Sequence, residues 1–183
     1  MTKIFKSSFS QVLVELNRLD FKCWIFQRGM EFEAQEKWWE DTDSRLTKHE
    51  GLDFCCYKDR NGQLVNLAEK TIVPVMYDGM IVKIFTDLLG ASVLVKHDLQ
   101  DKGRNLCSIY AHTFPVAPLQ TGSTVKEGEP IARICATGKK SILPHLHLSV
   151  IWALESAIVG LDWENIHKEK RATLCNPLDF LWY

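Results

Sequence analysis

The chain has 183 residues, of which 46% are hydrophobic and 25% are charged, and its formal net charge is −1. This size and composition fit one ordinary globular domain, which can bury a core without disulfide crosslinks. The balanced charge argues against the basic face that nonspecific nucleic-acid binding requires. No apolar run approaches the length of about 18 residues needed to cross a bilayer, so we expect no membrane span.

Residues 1–44 differ in pattern from the rest, and we expect them to form a helix and a strand with loop that pack on the main body. Apolar residues recur every three or four positions from Phe9 to Leu19, which indicates a short amphipathic helix. The acidic, tryptophan-rich stretch that follows contains Trp24, Trp38 and Trp39, which we expect to pack in the core rather than wall a groove. The N-terminus lacks the apolar centre and cleavage site of a secretory signal, which predicts a cytoplasmic chain or one whose leader has been removed.

Residues 45–183 show short apolar runs separated by turn signals, including HEGLDFCCY, MIVKIF, SVLVKHD, NLCSIYAHT, EPIARICA and HLHLSVIW. Many short strands at close spacing predict a mainly β fold, an antiparallel sandwich or barrel. We expect the final 21 residues to form one or two helical turns before an apolar end that docks on the core. The six cysteines include no C-x-x-C pair, and we expect most of them to be reduced and buried.

His145 and His147 lie two residues apart in a predicted strand. Alternate side chains of a strand face opposite sides, so both imidazoles would share one face while Leu146 and Leu148 face the core. Two imidazoles on one face can bind a single metal ion. The alternative is two polar positions on an amphipathic strand.

His49 and Asp53 lie four residues apart, and a strand would place both on one side with Leu52 on the other. Imidazole nitrogen and carboxylate oxygen are ligands that zinc accepts. With one histidine of the H-x-H pair they would supply three protein ligands and leave a position open for water. The spacing alone is weak, because surface histidine and aspartate are both common.

His112 is predicted to end a strand and to share a face with Tyr110 and Ser108. Taken alone, it is better explained as a strand-end histidine in water. Together with His49-x-x-x-Asp53 and His145-x-His147, however, it forms a combination that is far more specific than any one of the three motifs.

His49-x-x-x-Asp53, Tyr110-Ala111-His112 and His145-x-His147, in this order, resemble the lysostaphin/LytM family of zinc endopeptidases. The resemblance covers about residues 45 to 182. It is supported by three further segments: Asp78-Gly79 before MIVKI, G-x-x-V-x-x-G-x-x-I over residues 122–131, and Asn176-Pro177-Leu178.

The resemblance implies an antiparallel β-sheet groove with short peripheral helices and one Zn²⁺ per chain. His49, Asp53 and His147 would bind the metal. His112 and His145 would stay unligated and act on the attacking water and on the tetrahedral intermediate. The implied substrate is a peptide crosslink of bacterial peptidoglycan, met in the periplasm or outside the cell, and a monomer is favoured.

Three other functions are compatible with parts of the pattern. A non-catalytic member that activates another wall hydrolase would usually lack metal ligands, whereas here all five positions are filled. A peptidase acting on a non-wall peptide would keep them. A lipoyl-type carrier would need a modifiable lysine at a hairpin tip, and none stands out.

Several other residues carry narrower expectations. We expect Cys55 to pack near the site rather than bind metal, and His97 to have a structural role. His167 is expected to be solvated. Tyr77 and Tyr110 are weak candidates for stabilising an oxyanion, and Lys139-Lys140 for a loop that meets an acidic substrate.

Overall fold

The computed structural model describes residues 6–40, 44–138 and 141–182. Within these ranges the helices are α1 (Phe9–Leu16), α2 (Glu155–Ile158) and a short 3-10 helix (Pro177–Phe180). The strands are β1 (Phe21–Ile25), β2 (Leu52–Phe54), β3 (Cys56–Asp59), β4 (Leu64–Asn66), β5 (Ile72–Pro74), β6 (Gly79–Thr86), β7 (Ala91–Asp101), β8 (Arg104–Pro115), β9 (Thr124–Val125), β10 (Pro130–Ile134), β11 (Leu146–Leu154) and β12 (Ala172–Cys175). No helix in the described part of the chain is long and apolar enough to span a membrane.

Nine of these strands form one antiparallel sheet, and its main path runs β12-β11-β8-β7-β6-β9. Strand β2 lies beside the first residues of β11, and β10 joins β8 to β5. A smaller sheet has the order β1-β3-β4. The prediction of a mainly β, antiparallel fold with few short helices is therefore confirmed.

Both faces of the large sheet are covered by apolar side chains. Along β7, Val93 and Val95 belong to the larger buried cluster, while Leu94 between them belongs to a second, smaller cluster. The alternation follows from the two-residue period of a strand. The long central strands β7, β8 and β11 are consequently buried over most of their length, which gives the site a rigid base.

The N-terminal segment packs on this body through its aromatic residues. Trp24 meets Phe54 edge to face with ring centroids 5.1 Å apart, and Phe9 of α1 meets the same ring at 5.8 Å. Helix α1 is followed by Asn17, whose side chain bonds the backbone of Leu13 within the helix and of Ile72 in β5. The predicted helix is present, and Trp24 is buried as expected. The same expectation is wrong for Trp38 and Trp39, which are only partly buried and line a pocket.

The expectation that HEGLDFCCY forms one strand is wrong. His49 lies in a loop, β2 begins at Leu52, and Cys55 separates β2 from β3. The two strands belong to different sheets, because β2 pairs with β11 whereas β3 pairs with β1 and β4. The expectation for the tail also missed strand β12, which pairs with β11 before the 3-10 helix and the buried Leu181.

Candidate metal centre and active site

The candidate metal centre lies where β2 pairs with the beginning of β11. Asp53 and His147 are direct partners in the antiparallel register of these strands. His49 reaches the same point from the preceding loop, through a bend at Gly51. A Cβ atom at residue 51 would lie 2.4 Å from the carbonyl oxygen of Leu148 and 2.7 Å from Nε2 of His147, so only glycine fits there. The turn, rather than strand alternation, brings His49 to Asp53.

Three possible ligand atoms converge where β2 pairs with β11. Nδ1 of His147 lies 2.9 Å from Oδ1 of Asp53 and 3.0 Å from Nε2 of His49, and the latter two atoms are 3.3 Å apart. Ligands at about 2.0–2.1 Å from a tetrahedral zinc ion lie roughly 3.3 Å from one another. The distances therefore fit a zinc ion bound by one carboxylate and two imidazoles, and these residues form the one possible metal cluster found among the described residues.

The protonation states of these groups suit a cation. Burial opposes ionisation of Asp53, but the neighbouring His49 and His147 outweigh it and hold the pKa of this carboxyl well below its usual value. Burial lowers the pKa of His147 despite the adjacent carboxylate. A charged carboxylate and a neutral imidazole are the forms that bind a metal.

Hydrogen bonds behind the ligands orient the two imidazoles. Nδ1 of His49 lies 2.8 Å from the carbonyl oxygen of Glu31. Because a carbonyl only accepts, Nδ1 carries the proton and Nε2 keeps its lone pair for a metal. Nε2 of His147 lies 2.9 Å from Oγ of Ser149, so an Nε2–H can donate a hydrogen bond to the hydroxyl oxygen and leave the lone pair of Nδ1 free.

His112 lies beside this centre, but not by strand alternation as predicted. It has a φ of 61° at a register shift between β7 and β8, so it sits on a bulge. Its backbone N–H donates to Oδ2 of Asp87 at 2.8 Å, and its Nδ1 lies 3.2 Å from Oδ1 of the same carboxylate. Burial opposes ionisation of Asp87, but the bonds from His112 and Ser92 keep its pKa below the usual value.

His145 also reaches the centre, from the loop just before β11 rather than from the strand itself. Its Nδ1 donates to the carbonyl oxygen of Leu143 at 2.8 Å, so Nε2 keeps a lone pair. Its ring centroid is 4.8 Å from that of His112. Burial lowers the pKa of His145 to about 4, which makes the ring neutral at pH 7.

A pocket of about 220 Å³ opens next to His147 and His112. Trp163 forms one wall, with its ring centroid 5.2 Å from that of His147, and its indole N–H donates to Oγ of Ser92. The remaining lining comes from Glu50, Asp87 and the exposed Leu88. No sequence pattern singles out Asp87 or Trp163, since each looks like an ordinary turn or core residue.

The narrower expectations have mixed outcomes. Tyr77 and Tyr110 do not stabilise an oxyanion, because both are buried away from the pocket and bond to the backbone of Phe180 and Met76. His97 is structural, bonded to the carbonyl of Tyr77 and to Ser108. Cys55 is buried and is not part of the metal cluster.

Two expectations concern charged surface groups. His167 is partly exposed but also lies 3.6 Å from Glu50, which is more contact than simple solvation. Lys139-Lys140 lie outside the described residues.

All six cysteines are free, and four of them are buried.

Comparison with known proteins assigns the chain to a family. The sequence profile of Peptidase family M23 matches residues 58–158, more than half of the chain. The chain therefore belongs to peptidase family M23. The matched segment contains His112, His145 and His147, whereas His49 and Asp53 precede it.

Solved structures show the same fold. The catalytic domain of lysostaphin from Staphylococcus simulans is similar with a TM-score of 0.55 and 16% identity, over 96% of this chain and 98% of that one. A solution structure of lysostaphin gives 0.56 and 17% over 96% of this chain and 53% of that one. LytU gives 0.50 and 21% over 75% and 81%. A search of curated proteins finds no match.

Proposed function

We propose that this protein is a zinc-dependent metalloendopeptidase that hydrolyses peptide crosslinks of bacterial peptidoglycan. His49, Asp53 and His147 would hold one zinc ion per chain. His112 and His145 would act on the substrate. Residues 45–183 would form the catalytic domain, with residues 1–44 packed on it, and the substrate would be met outside the cytoplasm.

The observation that carries this proposal is the grouping of five side chains at one point. Three ligand atoms lie within 3.3 Å of each other, and the rings of His112 and His145 stand beside them without joining the cluster. A catalytic zinc site uses three protein ligands and leaves one position for water. Membership of family M23 and the lysostaphin-like fold support the same reaction class.

When bound, zinc would supply a Lewis acid that polarises the scissile carbonyl and makes water a better nucleophile. The two unligated histidines would be equipped for the same proton transfers. Each has its Nδ1 proton engaged by an acceptor, so each presents Nε2 with a lone pair. Such a nitrogen can take the proton of the attacking water and deliver it to the leaving amine, and once protonated it stabilises the oxyanion.

The pocket beside His147 gives the substrate a place to lie. Trp163 and Leu88 offer apolar surface, and Glu50 adds a carboxylate at the rim. A narrow pocket with an apolar wall and a few polar groups orients an extended peptide against the reactive groups. All three proposed ligand positions are filled, with Asp53 charged and His147 neutral, as metal binding requires. A non-catalytic activator would not need these residues, so the ligand set disfavours that alternative.

The test uses the full chain, stripped of metal and then titrated with Zn²⁺. We expect one equivalent of bound zinc, and release of new amino groups from purified sacculi only with metal present. Mass spectrometry of the released fragments identifies the bond. A chain that binds no stoichiometric zinc, or a zinc-loaded chain that leaves sacculi intact, would refute the proposal. Digestion of an unrelated peptide with sacculi untouched would favour a non-wall substrate.

A further inference from the structure

The loop formed by residues 27–40 lies against the two proposed ligands that come before the matched family segment. The backbone N–H of Asp53 donates to Met30, and His49 exchanges backbone hydrogen bonds with Ala34 and Glu33, all at 2.9 Å. These bonds fix the main chain of the ligand loop. The same loop also supplies the carbonyl of Glu31 that orients His49.

A side chain of this loop binds the carboxylate of Asp53 directly. The indole N–H of Trp38 donates to Oδ2 at 2.7 Å, while Oδ1 is the oxygen that faces His49 and His147. An indole nitrogen is only a donor, so the direction of this bond is fixed. The two oxygens of one carboxylate are thereby divided between the proposed metal and Trp38.

Arg45 braces the loop that carries Trp38. Its guanidinium donates to the carbonyl oxygens of Gly29 and Glu36, stacks over Trp39 at 5.2 Å and lies 3.8 Å from Oδ2 of Asp53. These contacts tie both ends of the loop together. The ring of Trp38 also meets His145 edge to face at 5.0 Å, so one indole touches a proposed ligand and a proposed catalytic residue.

We infer that Trp38 is a positioning residue that restricts Asp53 to binding the metal through Oδ1 alone. This inference rests on the proposed function. A carboxylate free to rotate can bind with both oxygens, and the second oxygen would occupy the position that a catalytic site keeps open for water. A hydrogen bond on Oδ2 prevents that rotation and keeps three protein ligand atoms on the metal.

The test compares Trp38→Phe, which keeps an aromatic ring but loses the donor, with a matched control. Trp24→Phe removes another indole N–H bond from the same N-terminal segment, a 2.6 Å bond to Ser10 in the core. Full-length proteins are stripped of metal and titrated with Zn²⁺ against a chelator, and then with Co²⁺ while visible absorption is recorded. Thermal midpoints of the metal-free proteins report folding.

Trp38→Phe should weaken zinc binding about tenfold. Its Co²⁺ spectrum should become weaker and shift as a second carboxylate oxygen enters, because visible absorption of Co²⁺ depends on coordination number. Trp24→Phe should match wild type in both measurements. Wild-type affinity and an unchanged Co²⁺ spectrum in Trp38→Phe would overturn the inference and leave the proposed function standing. Failure of the wild-type chain itself to bind zinc would remove both.

Should Trp38→Phe fail to fold, the wild-type protein still decides the matter. Its Trp38 indole N–H resonance, assigned by proximity to the ring of His145, should move when Zn²⁺ is added, because the carboxylate it contacts becomes a metal ligand. The resonance of the Trp24 indole should stay in place. A Trp38 resonance that does not respond to stoichiometric zinc overturns the inference.

Discussion

Asp87 holds His112 at two points, accepting the backbone N–H at Oδ2 over 2.8 Å and facing Nδ1 with Oδ1 over 3.2 Å. The left-handed φ of 61° at His112 is what presents both groups to one carboxylate. Asp87 is itself fixed by bonds from Ser92 and from the backbone of Leu89 and Gly90. The imidazole is thus held with its proton on Nδ1, and Nε2 keeps its lone pair.

Asp87→Asn should therefore reduce hydrolysis by about 100-fold while leaving zinc binding intact. An amide can present an N–H to Nδ1 of His112, which would move the imidazole proton to Nε2 and remove the base. The measurement is kcat on a crosslinked peptide, together with the zinc content of the purified variant. Asp78→Asn, at a surface ion pair with Lys126, serves as a control and should keep wild-type activity. Full activity in Asp87→Asn would show that this carboxylate does not set the state of His112.

The lowered pKa of Asp87 predicts how the stability of the metal-free protein depends on pH. The pKa of Asp87 is lower in the folded protein than its ordinary value of about 3.9, so the unfolded state binds its proton more readily. Its stabilising contribution is fully present above the unfolded pKa and is lost as pH falls below about 4. Thermal midpoints of wild type should drop over this range, and Asp87→Asn should show a shallower drop. Parallel curves for the two proteins would count against this assignment.

Much of the candidate metal centre could be predicted from the sequence, because its residues occupy regular or strongly patterned positions. His147 lies on an alternating strand whose leucines face the core, and Asp53 precedes a buried phenylalanine on another. Zinc chemistry and the order of the motifs then limit the choices. The antiparallel β fold was predictable for the same reason, since short apolar runs with turn signals have few other solutions.

The remaining parts depend on contacts between segments far apart in the chain. The bulge at His112 arises where β7 and β8 lose register, and no local pattern marks it. Asp87 lies 25 residues from its partner His112, and Trp38 lies 15 residues from Asp53. An aspartate in a turn and a tryptophan in an acidic loop have commoner explanations, so pattern alone could not assign them.

The two kinds of histidine in the site should separate cleanly on mutation. His147→Ala removes one of the three proposed ligands, and we expect it to lose stoichiometric zinc and all hydrolysis. His112→Ala keeps the ligand set, so it should bind one zinc and lose activity by a factor on the order of 10²–10⁴. Metal analysis and sacculus digestion of each variant check both statements. If His112→Ala digested sacculi at the wild-type rate, the role given to this residue would be wrong.

Gly51 tests whether the close approach of the ligand loop to β11 is required. Replacing it with alanine puts a methyl group 2.4 Å from the carbonyl oxygen of Leu148 and 2.7 Å from Nε2 of His147. The first atom is backbone and the second belongs to a buried ring bonded to Ser149, so the loop carrying His49 and Asp53 must move away from the strand. We expect a loss of about 1–3 kcal/mol in the free energy of unfolding, in line with overpacking elsewhere.

The substitution should also weaken zinc binding by roughly tenfold or more. The loop that carries His49 and Asp53 is displaced, and the added methyl crowds Nε2 of His147, the atom that bonds Ser149. Thermal denaturation without metal and zinc titration separate the two effects. Gly62→Ala is the matched control: it also adds one methyl, but to a turn where nothing lies within 4 Å. Its positive φ of 83° should cost some stability while zinc affinity stays at the wild-type value. Unaltered zinc binding in Gly51→Ala would mean that the ligand loop tolerates a wider separation from β11 than its contacts require.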